Sequence, residues 1–380
     1  MPPSRAQSET GDPLLLTPGP LTTSKSVKQA MLHDWGSRDP DFIALNRRVL
    51  YRLAEIAGGG DMVAVPMQGS GTFAVEAMLG TFVPREGRLL ILVNGAYGHR
   101  AARIAGRLGL KFEVMETAED TPPDLEALAV RLMATPAITH VFAVHCETTS
   151  GILNPIIEIA DIVASEGRRL LIDSMSAFGA LDVDIEEFRF DAVAASSNKC
   201  LEGVPGLGFV ICRRDAMMGC EGNAPSVSLD LFDQHQALEK TGQYRFTPPT
   251  HAIAALDQAL REHLDEGGVR GRGDRYRANC ATLVDGMRDM GFQPLLPDEL
   301  QAPIIVTFRM PAHPNFSFPA FYDALAARGF LIYPGKLTVA DSFRMGCIGR
   351  LDSRDMAGAL VAVRAVLDQM KVPSGAPESA

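Results

Sequence analysis

The sequence predicts an α/β protein, with a large domain on a mainly parallel sheet flanked by helices and a smaller C-terminal α+β domain. Three observations carry this. Between about residues 60 and 213, short β-rich runs alternate with helix-like stretches, the pattern of strand–helix–strand units. The apolar runs are nearly continuous, as strands buried on both faces require. The pattern then changes after the Pro-rich segment Phe246-Thr247-Pro248-Pro249-Thr250.

Taken in order, residues 1–13 are polar and lack the charged-then-apolar order of a secretion signal, so they read as a loose tail. An apolar run at 63–67 leads into a glycine-rich turn, and strands are expected at 89–93, 139–144, 169–172, 191–195 and 208–212. Helical stretches separate them at 74–80, 97–108, 125–134 and 155–165. One long helix is expected from 251 towards 287. Strands at 303–310, 330–333 and 342–348, with helices at 319–328 and 354–370, form the second unit. The boundary falls within the long helix, which gives a large domain over 14–270, a small one over 271–371 and a tail at 372–380.

The 380 residues carry 36 basic and 46 acidic side chains, a net charge of −10. That excludes a general nucleic-acid binder but allows a local arginine site for a small anion. No apolar run is long enough to span a bilayer. Six scattered cysteines lack zinc-ribbon or thioredoxin spacing, so reduced thiols and a cytoplasmic location are expected. His140, His145, Cys146 and Glu147 suggest a metal site only superficially. Two histidines five apart on a strand point to opposite faces, and no metal is expected.

Ligands of open α/β sheets bind at the carboxyl ends of the strands. Four such junctions carry chemistry. Gly69-Ser70-Gly71-Thr72 offers small residues, hydroxyls and a helix N-terminus to an anion, although a Gly-Ser-Gly turn is more often only a turn. Tyr97, in Asn94-Gly95-Ala96-Tyr97-Gly98, is placed to stack on a planar ring or simply to start a helix. Asp173 ends a buried run and needs a cationic or donor partner; capping the next turn is the bland alternative. Lys199 follows a strand inside a cleft, where desolvation favours the neutral amine of a Schiff-base lysine. A lysine taken alone is more often a solvated loop residue. Together the four describe pyridoxal 5'-phosphate: phosphate loop, stacking ring, pyridinium carboxylate and Schiff-base lysine.

Further segments extend the pattern. They include Leu14-Leu15-Leu16-Thr17-Pro18-Gly19-Pro20, Gln68-Gly69-Ser70-Gly71 and His145-Cys146-Glu147-Thr148-Thr149. Others are Asn198-Lys199-Cys200 with Gly203-Val204-Pro205-Gly206, and Tyr244-Arg245-Phe246-Thr247-Pro248-Pro249-Thr250-His251. Tyr333-Pro334-Gly335-Lys336 and Phe343-Arg344-Met345-Gly346-Cys347-Ile348-Gly349 close the set. Through them, from about residue 14 to about 370, the chain resembles the fold-type-I pyridoxal-phosphate enzymes. Within these it is similar to the alanine–glyoxylate and serine–pyruvate aminotransferase branch, and most of all to the 2-aminoethylphosphonate–pyruvate aminotransferases.

The resemblance implies a seven-stranded sheet, a segment at 14–45 bordering the active site, and a homodimer with active sites at the subunit interface. It implies transfer of the amino group of 2-aminoethylphosphonate to pyruvate, giving phosphonoacetaldehyde and L-alanine in phosphonate degradation. Lys199 would be the Schiff-base lysine and proton carrier, and Asp173 would keep the ring nitrogen protonated. Tyr97 would stack, and Thr148 would lie near the ring oxygen. Ser70, Gly71, Thr72 and Asn198 would hold the phosphate, with Tyr244 and Thr247 reaching it from the partner subunit. Arg344 and Gly19 would bind substrate, and Arg245 and Lys336 are candidates for a phosphonate. The sequence departs from the family pattern at Tyr244, often Trp, at Ser174, often Ala, and over 34–39. Alternatives within the fold are a serine- or alanine–glyoxylate aminotransferase and a β-eliminating lyase; a non-catalytic binding module is a third reading. A lyase such as a cysteine desulfurase would want a mobile catalytic cysteine, whereas Cys347 lies in an expected strand.

Overall fold

Seven strands form the main sheet, in the spatial order Met62–Gln68, Leu207–Arg213, Ala192–Ser196, Arg169–Asp173, His140–Val144, Arg88–Val93 and Lys111–Glu116. The computed structural model describes residues 5–183, 189–337 and 340–378. Leu207–Arg213 runs antiparallel to both neighbours, and the other pairings are parallel. Apolar clusters cover both faces: Leu90, Leu92, Val141 and Ile172 on one, Leu89, Ile91, Phe142 and Leu171 on the other. This two-sided burial is why the strands read as unbroken apolar runs.

The edge strand Lys111–Glu116 has no counterpart among the expected elements. It mixes charged and apolar residues and none of them is buried, Phe112 and Val114 included. The helix Pro40–Ile56 is also new. Asp39 caps it by accepting from Asp41 N, Pro40 opens it, and Phe42, Leu45, Val49 and Leu53 bury one stripe.

The long helix expected over 251–287 is two helices, Thr250–Asp265 and Gly268–Asp289. Gly267 and Gly268 both have positive φ (102° and 68°), a conformation that glycine adopts without a Cβ penalty and that ends a helix.

In the C-terminal part, Ile305–Arg309, Ser342–Gly346 and Tyr333–Pro334 form an antiparallel sheet. Helices Phe318–Ala327 and Ser353–Met370 pack on it, around Phe292, Phe308, Phe321 and Phe343. The strand expected at 342–348 ends at Gly346, where an added Cβ would strike the Thr17 backbone. The strand expected at 330–333 splits, because Phe330–Leu331 pairs instead with Leu14–Leu15. Leu14 and Leu16 therefore sit in the C-terminal core, although 14–270 is expected as one domain. The two tails are docked rather than loose where they are described. Ala6 N donates to Arg328 O (2.9 Å) and Ala312 N to Ala376 O (3.0 Å).

Candidate active site

The parallel strands converge at their carboxyl ends on a cavity of about 220 Å³. It is lined by Gly19, Ser70, Gly71, Thr72, Tyr97, Arg100, Asp173, Asn198 and Lys199, among others. The structure thus brings together residues up to 180 positions apart, with Lys199 and Gly19 the most distant pair.

Lys199 lies in the tight loop after Ala192–Ser196, where Glu202 N bonds Lys199 O (2.8 Å) and Gly203 N bonds Ser197 O (2.8 Å). Its Nζ donates to Pro18 O at 2.6 Å. Burial pulls its pKa down to about 8, with Lys336 and Arg344 acting in the same sense and Asp173 opposing. Gly19 leaves room for this amine: a Cβ there would stand 2.7 Å from both Cδ and Nζ.

Asp173 ends the strand Arg169–Asp173. Met175 N donates to one of its oxygens (3.0 Å), the turn-capping bond expected as its bland role. The residue is nonetheless buried, and burial pushes its carboxyl up to about 6, with Glu147 adding to the rise and Arg100 and Lys199 pulling it back. A group of this kind holds its charge once a cation docks beside it.

Two helices begin at the cavity, and they are not equivalent. In Ala96–Arg107 the first donors are already used. Ala96 N bonds Thr149 Oγ1 (2.9 Å), and Tyr97 N and Gly98 N bond Glu147 Oε2 (3.1 and 3.4 Å). In Gly71–Phe82 the N-cap Ser70 makes no capping bond from its side chain. An anion would therefore go to the second helix, at Ser70, Gly71 and Thr72. Gly71 leaves room for the Met175 side chain, which a Cβ there would force to move. Asn198 borders the same space and accepts from Ser196 Oγ (3.0 Å).

Arg344 is buried and holds two backbone carbonyls, Pro334 O through Nε (3.1 Å) and Thr148 O through Nη1 (2.8 Å). It makes no ion pair among the described residues. Thr148 thus seats Arg344 through its backbone. Lys336 Nζ stands 5.4 Å from the centre of the Tyr97 ring, inside the site's electrostatic reach. Arg245 is committed elsewhere, to Asp233, Val227 O and Asp230 O. Tyr244 and Thr247 do not line the cavity of their own chain. Tyr244 donates to Asn46 Oδ1 (3.1 Å), and Gln68 Nε2 donates to Thr247 O.

Two residues escape the sequence reading. Glu147, dismissed there as a metal candidate, is the acceptor that fixes the Tyr97 helix. Arg100 bonds Thr72 Oγ1 (3.2 Å) and lies over the Tyr97 ring (4.7 Å). The only sequence signal for either is its nearness to a flagged residue. A larger surface depression, lined by Gly58, Gly59, Gly60, Asp61, Arg213, Arg214 and Asp215 among others, has both of its arginines paired, Arg213 with Asp215 and Arg214 with Glu239.

The donor set fits pyridoxal phosphate. There is an amine of lowered pKa, a buried carboxylate awaiting a cation, a ring to stack on and an uncapped helix N-terminus behind two hydroxyls. No cluster among the described residues could hold a metal, and no described helix is long and apolar enough to cross a membrane. All six cysteines are buried, and Cys347 lies just past the strand Ser342–Gly346. None matches the mobile nucleophile of a desulfurase-like lyase.

Comparison with known proteins agrees with this geometry. Residues 51–327 match the family model of class-V aminotransferases. The 2-aminoethylphosphonate–pyruvate transaminase of Rhizobium meliloti is 54% identical over 97% of this chain and 96% of its own. That of Pseudomonas entomophila is 54% identical over 95% and 98%. Among solved structures, pyridoxamine–pyruvate aminotransferase from Mesorhizobium loti superposes with a TM-score of 0.88 at 26% identity, covering 98% of this chain and 97% of that one. The enzymes of this family use pyridoxal phosphate, which the donor set of the cavity fits, and this chain belongs to the class-V aminotransferases.

Proposed function

We propose that the protein moves the amino group of 2-aminoethylphosphonate to pyruvate, forming phosphonoacetaldehyde and L-alanine. The observation that carries the substrate is the likeness of nearly the whole chain to transaminases of that name. The geometry supplies what such substrates need. Arg344 is a buried guanidinium with no ion pair among the described residues, suited to a phosphonate or a carboxylate through paired hydrogen bonds. Lys336 adds a second cation, its Nζ 5.4 Å from the centre of the Tyr97 ring.

When bound, pyridoxal phosphate supplies an electron sink for the pair released as the substrate's C–H bond breaks. The chain supplies the rest. Lys199, neutral above about pH 8, takes the proton and returns it at the neighbouring position. Asp173 would hold the ring nitrogen protonated. Ser70, Gly71, Thr72 and Asn198 would fix the phosphate, and Thr148 seats Arg344. The active form is a homodimer in which Tyr244 and Thr247 reach the partner's cavity. Support for this comes from exposed Phe73, Val227 and Phe246 around the segment that bears them.

The test is a donor comparison at fixed pyruvate, with L-alanine measured as product. The reading predicts that 2-aminoethylphosphonate outperforms serine by a large factor in kcat/KM. Faster turnover of serine, or of alanine with glyoxylate, would transfer the chain to that branch of the family. Sedimentation should give a dimer; a stable, active monomer would overturn the shared-site part.

A further inference from the structure

The cofactor's phosphate is a dianion, yet Ser70, Gly71, Thr72 and Asn198 offer it only neutral donors. Hydrogen bonds to ionised donors are roughly twice as strong as neutral ones, and a desolvated charge is costly without a counter-charge. Of the thirteen described residues lining the cavity, only Lys199 and Arg100 are basic. Lys199 has its own task at the reacting carbon. Arg100 has none so far.

Arg100 follows Tyr97 by three positions in the helix Ala96–Arg107, so both side chains share one face. Its guanidinium carbon lies 4.7 Å from the Tyr97 ring centre, and Nη1 donates to Thr72 Oγ1 at 3.2 Å. The residue is half-buried, and no carboxylate among the described residues forms an ion pair with it. A guanidinium held between the stacking ring and the phosphate loop, with no ion pair among the described residues and Asp173 acting on it only across the cavity, is a charge placed for an anion.

We propose that Arg100 is a phosphate-binding residue for the cofactor, supplying the positive charge that the neutral loop lacks. Resting one face on Tyr97 keeps its planar fork directed at the loop, where two N–H groups match two phosphate oxygens. The proposal rests on the pyridoxal-phosphate reading. Its competitor is a purely structural role, in which Arg100 only braces Tyr97.

The two roles separate when apoprotein is titrated with pyridoxal phosphate and, in parallel, with phosphate-free pyridoxal. In the wild type the phosphate form binds more tightly. Arg100→Gln should weaken the phosphate form about ten- to a hundredfold, the loss expected for a hydrogen bond to a charged group. Pyridoxal binding should stay unchanged, which also reports that the variant is folded. Arg100→Lys, which keeps the charge but not the fork, should recover part of the preference. Equal weakening of both forms in both variants, or no change in either, overturns the proposal. A wild-type protein that binds neither form overturns the cofactor reading itself, and Arg100's role with it.

Discussion

At the scale of single residues the site depends on burial acting on charge. Lys199 is useful because desolvation lowers its pKa from the ordinary 10.5 to about 8. The sign follows directly. Attack on the cofactor's carbonyl needs the neutral amine, so loading of apoprotein should slow as pH falls below about 8 and level off above it. A loading rate that keeps rising to the pKa of a solvated lysine would contradict the assigned environment. Gly19 is the steric counterpart. With φ at 114° and no room beside Lys199, Gly19→Ala should displace the amine and cut kcat roughly a hundredfold, the cost of about an ångström's misplacement. Near wild-type kcat would sink that account. Lys199, Asp173 and Tyr97 are legible in the sequence because each follows an apolar run, and strand ends are where ligands bind. Glu147 and Arg100 are not, because their partners are set by how the loops and helices meet across the cavity. Glu147 reaches residues 97 and 98 from some fifty positions away.

At the scale of elements, the helix Ala96–Arg107 shows how a neighbouring loop substitutes for a cap. Glu147 accepts from Tyr97 N, Gly98 N, Thr149 N and Thr149 Oγ1. Burial pushes its carboxyl up and these four bonds pull it down. Four donors suit an ionised carboxylate, which accepts only. Glu147→Gln should therefore not rescue Glu147→Ala, because the amide turns N–H groups towards donors. Each should lower stability by about 1–3 kcal/mol and loosen Tyr97, read by denaturant unfolding and by cofactor affinity. Full rescue by Gln would mean that Glu147 is protonated in the fold. Elements became legible where burial was two-sided, as in Arg88–Val93. They were missed where it was not, as in the exposed edge strand Lys111–Glu116. The helix pair around Gly267 read as one helix because helical residue types flank the glycine-rich stretch 267–273 on both sides. Only the positive φ of Gly267 and Gly268 separates them.

At the scale of the whole molecule, a buried network joins the Lys199 loop to the C-terminal part. Glu202, three residues after Lys199, accepts from Tyr276 Oη (2.6 Å) and Arg275 Nη2 (2.7 Å), and Arg272 donates to Cys200 O. Glu266 binds both arginines, and Arg275 also donates to Gly349 O and Leu351 O, beyond Arg344. Burial pushes Glu266 up, but the bond from Arg275 and the charge of Arg272 outweigh it and hold its pKa at about 2. Its stabilisation is thus present above the ordinary carboxylate range, near 4.5, and is lost as pH falls towards 2. Glu266→Gln should flatten the pH dependence of stability across that window. An unchanged acid limb would contradict the network's role. None of this could be read from the sequence, since the charges lie in helices and loops that look solvated until the two parts of the chain are packed together.

The central claim is that Lys199 carries pyridoxal phosphate in a cavity built to take an amine with an anionic tail. The most direct measurement is an absorbance titration of the holoenzyme with candidate amines in the absence of any keto acid. The account predicts a visible band, absent in Lys199→Ala, that 2-aminoethylphosphonate converts to the pyridoxamine form and serine hardly affects. A band that only serine or another α-amino acid bleaches would leave the fold and cofactor standing and contradict the substrate. A wild-type protein with no such band, even with added cofactor, would contradict the claim about Lys199 itself.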